Sequence, residues 1–180
     1  MTFHDLPTLV ALDAILQQEA VRTRIAPIVS HVERKMSRDS AATMAWETIP
    51  LSVYGEALPG VIRSSWVFIL RAGAITGAER HPNSHQRLMS YRATGDLQTW
   101  EEGRWRSNSL VSDGSARLEE RWVSVPPNVW HQAVVSNEDW VVVSFHTAAA
   151  QELIEERPDA NDNRLTHQRL YLPEQAEPSQ

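Results

Sequence analysis

Cysteine is absent from this 180-residue chain, which excludes disulfides and thiolate metal ligands. Imidazole, carboxylate and amide groups remain as possible ligands for a metal ion. The chain also has no apolar run that approaches the roughly 18 residues of a membrane span. The N-terminal stretch fails as a signal peptide, because no basic segment precedes its apolar positions and Asp13 interrupts them. We therefore expect a soluble, cytoplasmic protein with no membrane partner.

Positive charge is scarce as well. The chain has 17 Lys and Arg against 23 Asp and Glu, which gives a formal net charge of −6. Binding to nucleic acid requires clustered Lys and Arg that neutralise phosphates, and this sequence groups them nowhere. We therefore expect no nucleic-acid partner, and the length suits one domain with a sizeable core.

The region 1–60 is expected to be a helical extension packed on the rest of the chain. Between residues 5 and 37 its apolar residues recur at helical spacing, which predicts two helices. These positions are Leu9, Leu12, Leu16, Ile25, Ile28, Val29, Val32 and Met36. Such a double apolar stripe is more than one domain easily hides, so we also expect a homodimer.

The region 61–147 consists of short runs rich in Val, Ile, Trp, Phe and Tyr, separated by Gly, Asn, Asp, Ser and Pro. This pattern predicts about eight strands in an antiparallel barrel or two-sheet sandwich. In the region 148–180 we expect a short helix from Ala148 to Glu156, stopped by Pro158, and then a tail. The fold class is therefore mainly β, with two N-terminal helices and one short C-terminal helix.

Candidate metal ligands are concentrated in the stretch "GAITGAERHPNSHQ", residues 73–86. Glu79, His81 and His85 are separated by even numbers, which would place them on one face of an extended chain. Farther along, a Pro-Pro-Asn turn delivers His131 to the start of another apolar run. These four residues supply three imidazoles and one carboxylate, a set that suits Fe(II), Mn(II), Ni(II), Cu(II) or Zn(II). We predict that they converge on one divalent ion.

The same stretch resembles the first motif of the cupin superfamily, which is a Gly, five residues, His-x-His, three or four residues, and Glu. Here Gly73 is followed by five residues, Glu79-x-His81, three residues and His85. The family spacing is kept while the order of ligand types is permuted. Glu79 stands where the family has its first His, and His85 stands where it has Glu.

The second cupin motif, Pro-x-Gly-x-x-His, is matched in spacing by Pro126, Asn128 and His131, with Asn in place of Gly. The resemblance implies a jelly-roll barrel over residues 61–147. It also implies a metal-dependent enzyme that acts on a small organic molecule, with an Fe(II) dioxygenase as the favoured reading. The alternatives are a redox-neutral isomerase, decarboxylase or lyase, a non-catalytic small-ligand-binding cupin, and a cupin that has lost its metal.

Weaker candidates for the lining of a substrate pocket are polar or aromatic residues on the predicted strands: Tyr91, Gln98, Trp100 and His146. Three arginines are possible clamps for a carboxylate or phosphate: Arg63, Arg71 and Arg87. On a strand, Gln86 should face away from its neighbour His85, in a supporting or structural position.

Overall fold

The computed structural model describes residues 5–162 and 165–172. Two helices open this part of the chain, α1 (Leu6–Leu16) and α2 (Glu19–Arg38), and strand β1 (Met44–Thr48) and a 3-10 turn (Leu51–Tyr54) follow. The remaining elements are β2 (Ser64–Leu70), β3 (Gln86–Arg92), β4 (Thr94–Glu101), β5 (Arg104–Arg106), β6 (Ser109–Val111), α3 (Leu118–Arg121), β7 (Trp122–Val125), β8 (His131–Val135), β9 (Trp140–His146), β10 (Ile154–Pro158) and β11 (Thr166–Leu170). None of the helices in these two ranges is long and apolar enough to cross a membrane.

Within the described residues, nine strands form two antiparallel sheets that face each other, and β10 and β11 form a separate hairpin. The first has the order β1-β2-β9-β3-β7. In the second, β5 and β6 pair with β4, and β8 also pairs with β4. Isolated bridges from Ile75 and Glu79 extend this sheet beyond β8. This strand order, with neighbours distant in sequence, is that of a double-sheet jelly roll. The predicted mainly β, antiparallel fold with two N-terminal helices is confirmed.

The first sheet is buried on both faces, which explains why β2 and β9 read as continuous apolar runs. One face lines the barrel interior, where Trp66, Phe68 and Val142 pack. The other face carries Val67, Ile69, Met89, Val141, Val143 and Phe145, which pack against both helices. The helical apolar stripes are therefore covered by the chain's own sheet, with Leu9, Leu12, Leu16, Ile25, Val29, Val32 and Met36 all buried. The exposed apolar stripe that led us to expect a homodimer is therefore absent from the described residues. The homodimer itself stays a prediction.

Two ion pairs dock α1 on the barrel. The Arg87 guanidinium donates from Nε and Nη2 to the Asp5 carboxylate, with 2.6 Å between Nη2 and Oδ1. Both side chains are only 6% exposed. About two turns farther along the helix, the Asp13 carboxylate accepts hydrogen bonds from the Arg121 guanidinium and from the Trp122 indole. Because buried charges require partners, these pairs hold the helix in one position on the sheet.

Two sequence-based boundaries are corrected by the pairing of the strands. Strand β1 lies within the region 1–60 and yet joins the first sheet, where it pairs with β2. The helix expected from Ala148 to Glu156 is wrong, since the chain there forms turns followed by a hairpin of β10 and β11. The extended conformation is fixed by backbone hydrogen bonds in both directions between Arg80 and Glu156. Tertiary pairing has overridden local propensity.

The Asp5–Arg87 pair generates a stability prediction. Asp5→Asn keeps the shape of the side chain but leaves the buried Arg87 charge without its counter-charge, so we expect a loss of about 3 kcal/mol in the free energy of unfolding. Urea denaturation measures it. The control is Glu33→Gln at the exposed pair of Glu33 with Arg92, where the loss should be below about 1 kcal/mol. Equal losses in the two variants would contradict the structural role of the buried pair.

Candidate metal site inside the barrel

Three of the predicted ligands meet inside the barrel. Glu79, His81 and His131 each offer a ligand atom, and these atoms lie within 4.8 Å of one another. Glu79 and His131 are brought together by a backbone bridge with N–H···O distances of 2.8 and 2.9 Å. The rings of His81 and His131 have their centres 5.4 Å apart. The sheet therefore positions two imidazoles and one carboxylate around a common point.

The tautomers of both histidines follow from their backbone contacts. His81 Nδ1 lies 2.9 Å from the carbonyl oxygen of Ile154, and His131 Nδ1 lies 3.1 Å from that of Val129. A carbonyl oxygen only accepts, so in both rings Nδ1 carries the hydrogen and donates it. In the neutral form of each ring, Nε2 then keeps its lone pair. This arrangement, in which a backbone acceptor fixes the ring and its tautomer, is typical of metal-binding histidines.

Two buried acceptors at this point lack a hydrogen-bond partner within the described residues. They are His131 Nε2 and Gln86 Oε1. Both residues, together with Glu79, line one interior cavity of about 30 Å³. An unpartnered buried polar atom is costly, and two such atoms at one cavity indicate a binding site for a further group. A cavity of this size has room for an ion or a water, and two acceptors beside a carboxylate favour a cation.

The charge states suit such a cation. Burial raises the pKa of Glu79, but His131, His81 and Arg157 outweigh this effect and lower the pKa to about 2. Burial lowers the pKa of His81, and His131 lowers it further. At neutral pH the site therefore offers an ionised carboxylate and a neutral His81 imidazole, the protonation states that metal binding requires.

His85 does not join the group, which corrects the predicted set of four ligands. Its Nε2 lies 2.7 Å from Ser124 Oγ and 3.6 Å from Asp5 Oδ2, on the side of the sheet that faces α1. The even spacing of Glu79, His81 and His85 implied a continuous extended chain. A turn at residues 82–83 interrupts it, so the alternation of side chains starts afresh where β3 begins.

Gln86 occupies the place expected for His85. The two neighbours do face opposite sides of the strand, as predicted, and this is what turns Gln86 toward the cavity. The sequence contained a signal for it. The family motif allows three or four residues before its last ligand, and counting four residues after His81 arrives at Gln86.

The weaker pocket candidates are distributed over both faces of the sheets. Tyr91 packs against the helices, where the Arg22 guanidinium lies 4.5 Å from the ring centre. Gln98 and Trp100 lie on the outer face of the second sheet, opposite to the cavity-facing Leu97. These three residues do not line the interior. Side chains alternate between the two faces of a strand, and the residues next to these three are the ones that point inward.

His146 lies in the barrel interior, with its ring centre 5.1 Å from that of His81. Its Nδ1 lies 3.3 Å from Ser84 Oγ, and its Nε2 lies 3.3 Å from Ser144 Oγ. Burial lowers the pKa of His146 well below its usual value, and so the ring is neutral. Because both nitrogens have serine partners, His146 supports the position of His81 rather than acting as a ligand.

The three arginines considered as clamps do not meet at the cavity. Arg71 donates to the carbonyl oxygens of Met36, Asp39 and Ala42, so it anchors the end of α2. Arg87 binds Asp5, and Arg63 is exposed. The guanidinium that does reach the site belongs to Arg157 on β10, which donates to the Glu79 carboxylate and, at 2.8 Å, to Glu155 Oε1. Sequence reasoning missed it because the segment was taken for a helix.

The chain is similar to several solved structures at low sequence identity. No family model and no curated protein matches the sequence. Among solved structures, the chain is similar to pumpkin seed globulin, with a TM-score of 0.48, 16% identity, and coverage of 64% of this chain and 28% of that one. It is also similar to CapF with the inhibitor 3-isopropenyl-tropolone, with a TM-score of 0.47, 13% identity, and coverage of 72% and 33%.

A third similar structure is an oxalate decarboxylase, with a TM-score of 0.45, 14% identity, and coverage of 59% of this chain and 26% of that one. The chain thus spans a third or less of the length of these three chains. Similarity at this level carries no conclusion about family, activity, substrate or partner, and the assignment of a jelly roll rests on the chain's own strand pairing.

The lowered pKa of Glu79 predicts how the metal-free protein responds to acid. A carboxylate whose folded pKa is depressed stabilises the fold above its unfolded pKa, and this contribution is lost as the pH falls through the folded value. For Glu79 the loss should occur between pH 4.5 and about 2. In Glu79→Gln, measured in chelator by urea denaturation, we expect a loss of up to about 3 kcal/mol at pH 7 that shrinks in this range. A constant difference at every pH would contradict this electrostatic account, and Glu33→Gln serves as the control.

Proposed function

We propose that Glu79, His81 and His131, together with Gln86, bind one divalent metal ion inside the barrel. The observation that carries the proposal is the pair of buried, unpartnered acceptors, His131 Nε2 and Gln86 Oε1, beside an ionised carboxylate. Two histidines and one carboxylate with further positions open are the ligand set of non-haem Fe(II) oxygenases. Iron is therefore the favoured ion, and Zn, Mn, Ni or Cu fits the same donors less specifically.

We further propose that the protein is an Fe(II)-dependent dioxygenase that acts on a small organic molecule. When bound, the ion would supply Lewis-acid and redox chemistry. The contribution of the chain is to orient the ligands and to keep water out. Ile154 and Val129 hold the imidazoles, Arg157 holds the Glu79 carboxylate, and apolar side chains such as Leu88 cover the cavity. The cavity of about 30 Å³ has room for the ion and little more, so binding of an organic substrate would require the lining side chains to move.

The metal site has a direct test in four variants. Protein purified from iron-supplemented medium should contain about one metal ion per chain, and His81→Ala or His131→Ala should abolish binding because each removes a ligand nitrogen. Gln86→Leu should weaken metal affinity by at least about 10- to 100-fold, which is the usual loss when a residue that only supports a metal ligand is replaced. His85→Ala is the matched control, since it removes an imidazole four residues from His81 that faces away from the cavity. Elemental analysis and titration calorimetry measure these outcomes.

The result that would contradict the site is full occupancy in His131→Ala, or a loss in His85→Ala equal to that in His131→Ala. Each variant should show a cooperative thermal transition in chelator, because a core of this size does not depend on metal for its stability. This measurement separates the loss of a ligand from the loss of the fold.

The reaction class is tested by oxygen uptake. The iron-loaded protein should consume O₂ in the presence of a member of a panel of phenols, keto acids and thiols, and the protein in chelator should not. Substrate turnover by the metal-loaded protein without O₂ consumption would replace the dioxygenase with a redox-neutral isomerase, decarboxylase or lyase. Tight metal binding without turnover of any panel member would favour a non-catalytic binding protein. Both outcomes contradict the dioxygenase and leave the metal site in place.

A further inference from the structure

A row of three tryptophans crosses the outer face of the second sheet. Trp100 on β4 lies opposite Trp105 on β5, and their ring centres are 5.2 Å apart at an interplanar angle of 72°. On the other side of β4, the backbone N–H of Trp100 donates to the backbone carbonyl oxygen of Trp130, with an N···O distance of 2.8 Å. The three indoles therefore lie side by side on β5, on β4 and just before β8, a span of about 10 Å. The site inside the barrel uses none of them.

The three indoles line an open groove of about 420 Å³ that continues toward Pro158 and Thr166. Trp100 is 41% exposed, although an indole buries more apolar area than any other side chain when it is packed. The Arg80 guanidinium lies 4.6 Å from the centre of the Trp130 ring and fixes its position. One exposed and two half-buried indoles clustered in this way indicate an interaction site.

A ladder of polar side chains continues the row on the same face. Gln98 and Trp100 are two residues apart on β4, and Gln132 pairs with Gln98 across the strands. Gln132 Nε2 donates to Gln98 Oε1, and Gln98 Nε2 donates to Asp96 Oδ2, both at 2.9 Å. Each amide nitrogen has a second hydrogen left to donate, and the carboxylate has further acceptor capacity. The ladder holds these groups in fixed directions, which lowers the entropy cost of binding a ligand.

Two arginines beside the row are paired with carboxylates. Arg106 pairs with Glu101 at 3.1 Å, and Arg80 pairs with Glu156 at 2.8 Å. The Asp96 carboxylate of the ladder accepts hydrogen bonds from Gln98 Nε2 and from the Asn108 backbone N–H. These groups form no cluster of one sign that would attract a polyanion or a polycation. A ligand with apolar faces for the indoles and hydroxyl groups for the amides and the carboxylate is complementary to this surface.

We propose that this tryptophan row and its amide ladder bind a neutral oligosaccharide. A pyranose ring presents C–H groups on its faces, which pack on indoles, and hydroxyls at its edge, which both donate and accept hydrogen bonds. Adjacent hydroxyls satisfy the donors of Gln98 and Gln132 and the acceptor oxygens of Asp96 together. A proline-rich peptide also packs on indoles, but proline has no N–H and leaves the acceptors of the ladder without donors. The site lies outside the barrel and does not rest on the metal proposal.

The test is titration calorimetry of the wild-type protein with cellohexaose, xylohexaose, maltohexaose and decaproline, each up to about 5 mM. We expect at least one hexasaccharide to bind and decaproline not to bind. Trp100→Ala and Gln132→Ala should each weaken that affinity at least about tenfold, because one removes a stacking face and the other removes a donor. Ile75→Ala is the control, since Ile75 is an apolar residue, 64% exposed, that lies outside the groove.

Near-UV circular dichroism of each variant confirms that it is folded, and the exposed position of Trp100 makes its replacement tolerable. The affinity for the saccharide should be the same with and without chelator. A failure of saccharide binding is therefore distinguishable from a failure of the metal site. The proposal is overturned if none of the three hexasaccharides binds, if both variants bind like the wild type, or if decaproline binds and the saccharides do not.

Discussion

Strand β3 presents its side chains alternately to the barrel interior and to the helices, and both the interior site and the docking of the helices depend on this alternation. Gln86 and Leu88 face the cavity, whereas Arg87 and Met89 face the helices. A slip of one residue would exchange the two sets and bury Arg87 in the barrel without Asp5. The buried ion pair on one face therefore fixes the position of the metal-site amide on the other.

The candidate metal site also depends on a segment distant from its ligands in sequence. Strand β10 supplies the carbonyl of Ile154, which sets the tautomer of His81, and the guanidinium of Arg157, which binds Glu79. These contacts orient the ligands without occupying the Nε2 lone pairs. The two glutamates that precede Arg157 in sequence are bound as well, since Arg157 donates to Glu155 and Arg80 pairs with Glu156. The hairpin is thus an integral part of the site and not a tail.

Much of the fold and of the metal site could be predicted from the sequence, and the wrong predictions have a common cause. Short apolar runs with turn residues between them predicted the strands, and the spacing of Glu79, His81 and His131 identified three residues that do meet. His85 and Gln86 were assigned to the wrong faces because a turn between His81 and β3 resets the alternation. The number of residues in such a turn is decided by tertiary packing, which a local pattern does not contain.

The C-terminal hairpin and the outer tryptophans show the same limit. Glu155, Glu156 and Arg157 have helical propensity, and only their pairing with Arg80 and β11 makes them a strand. Trp100 was a candidate for the lining of a substrate pocket, because an aromatic residue on a strand fits either face until the register is known. Register is a property of the sheet as a whole, and it decides which side chains face a ligand.

The central claim, that the barrel holds one divalent metal ion at Glu79, His81, Gln86 and His131, is tested most directly by a crystal structure of the protein grown with Fe(II) under anaerobic conditions. Diffraction on both sides of the iron absorption edge locates the ion by its anomalous signal. The account predicts one peak in the cavity, about 2.0 to 2.2 Å from the Nε2 atoms of both histidines, as is usual for imidazole ligands. A peak beside His85 and Asp5, or a water in the cavity with no anomalous signal, would contradict it.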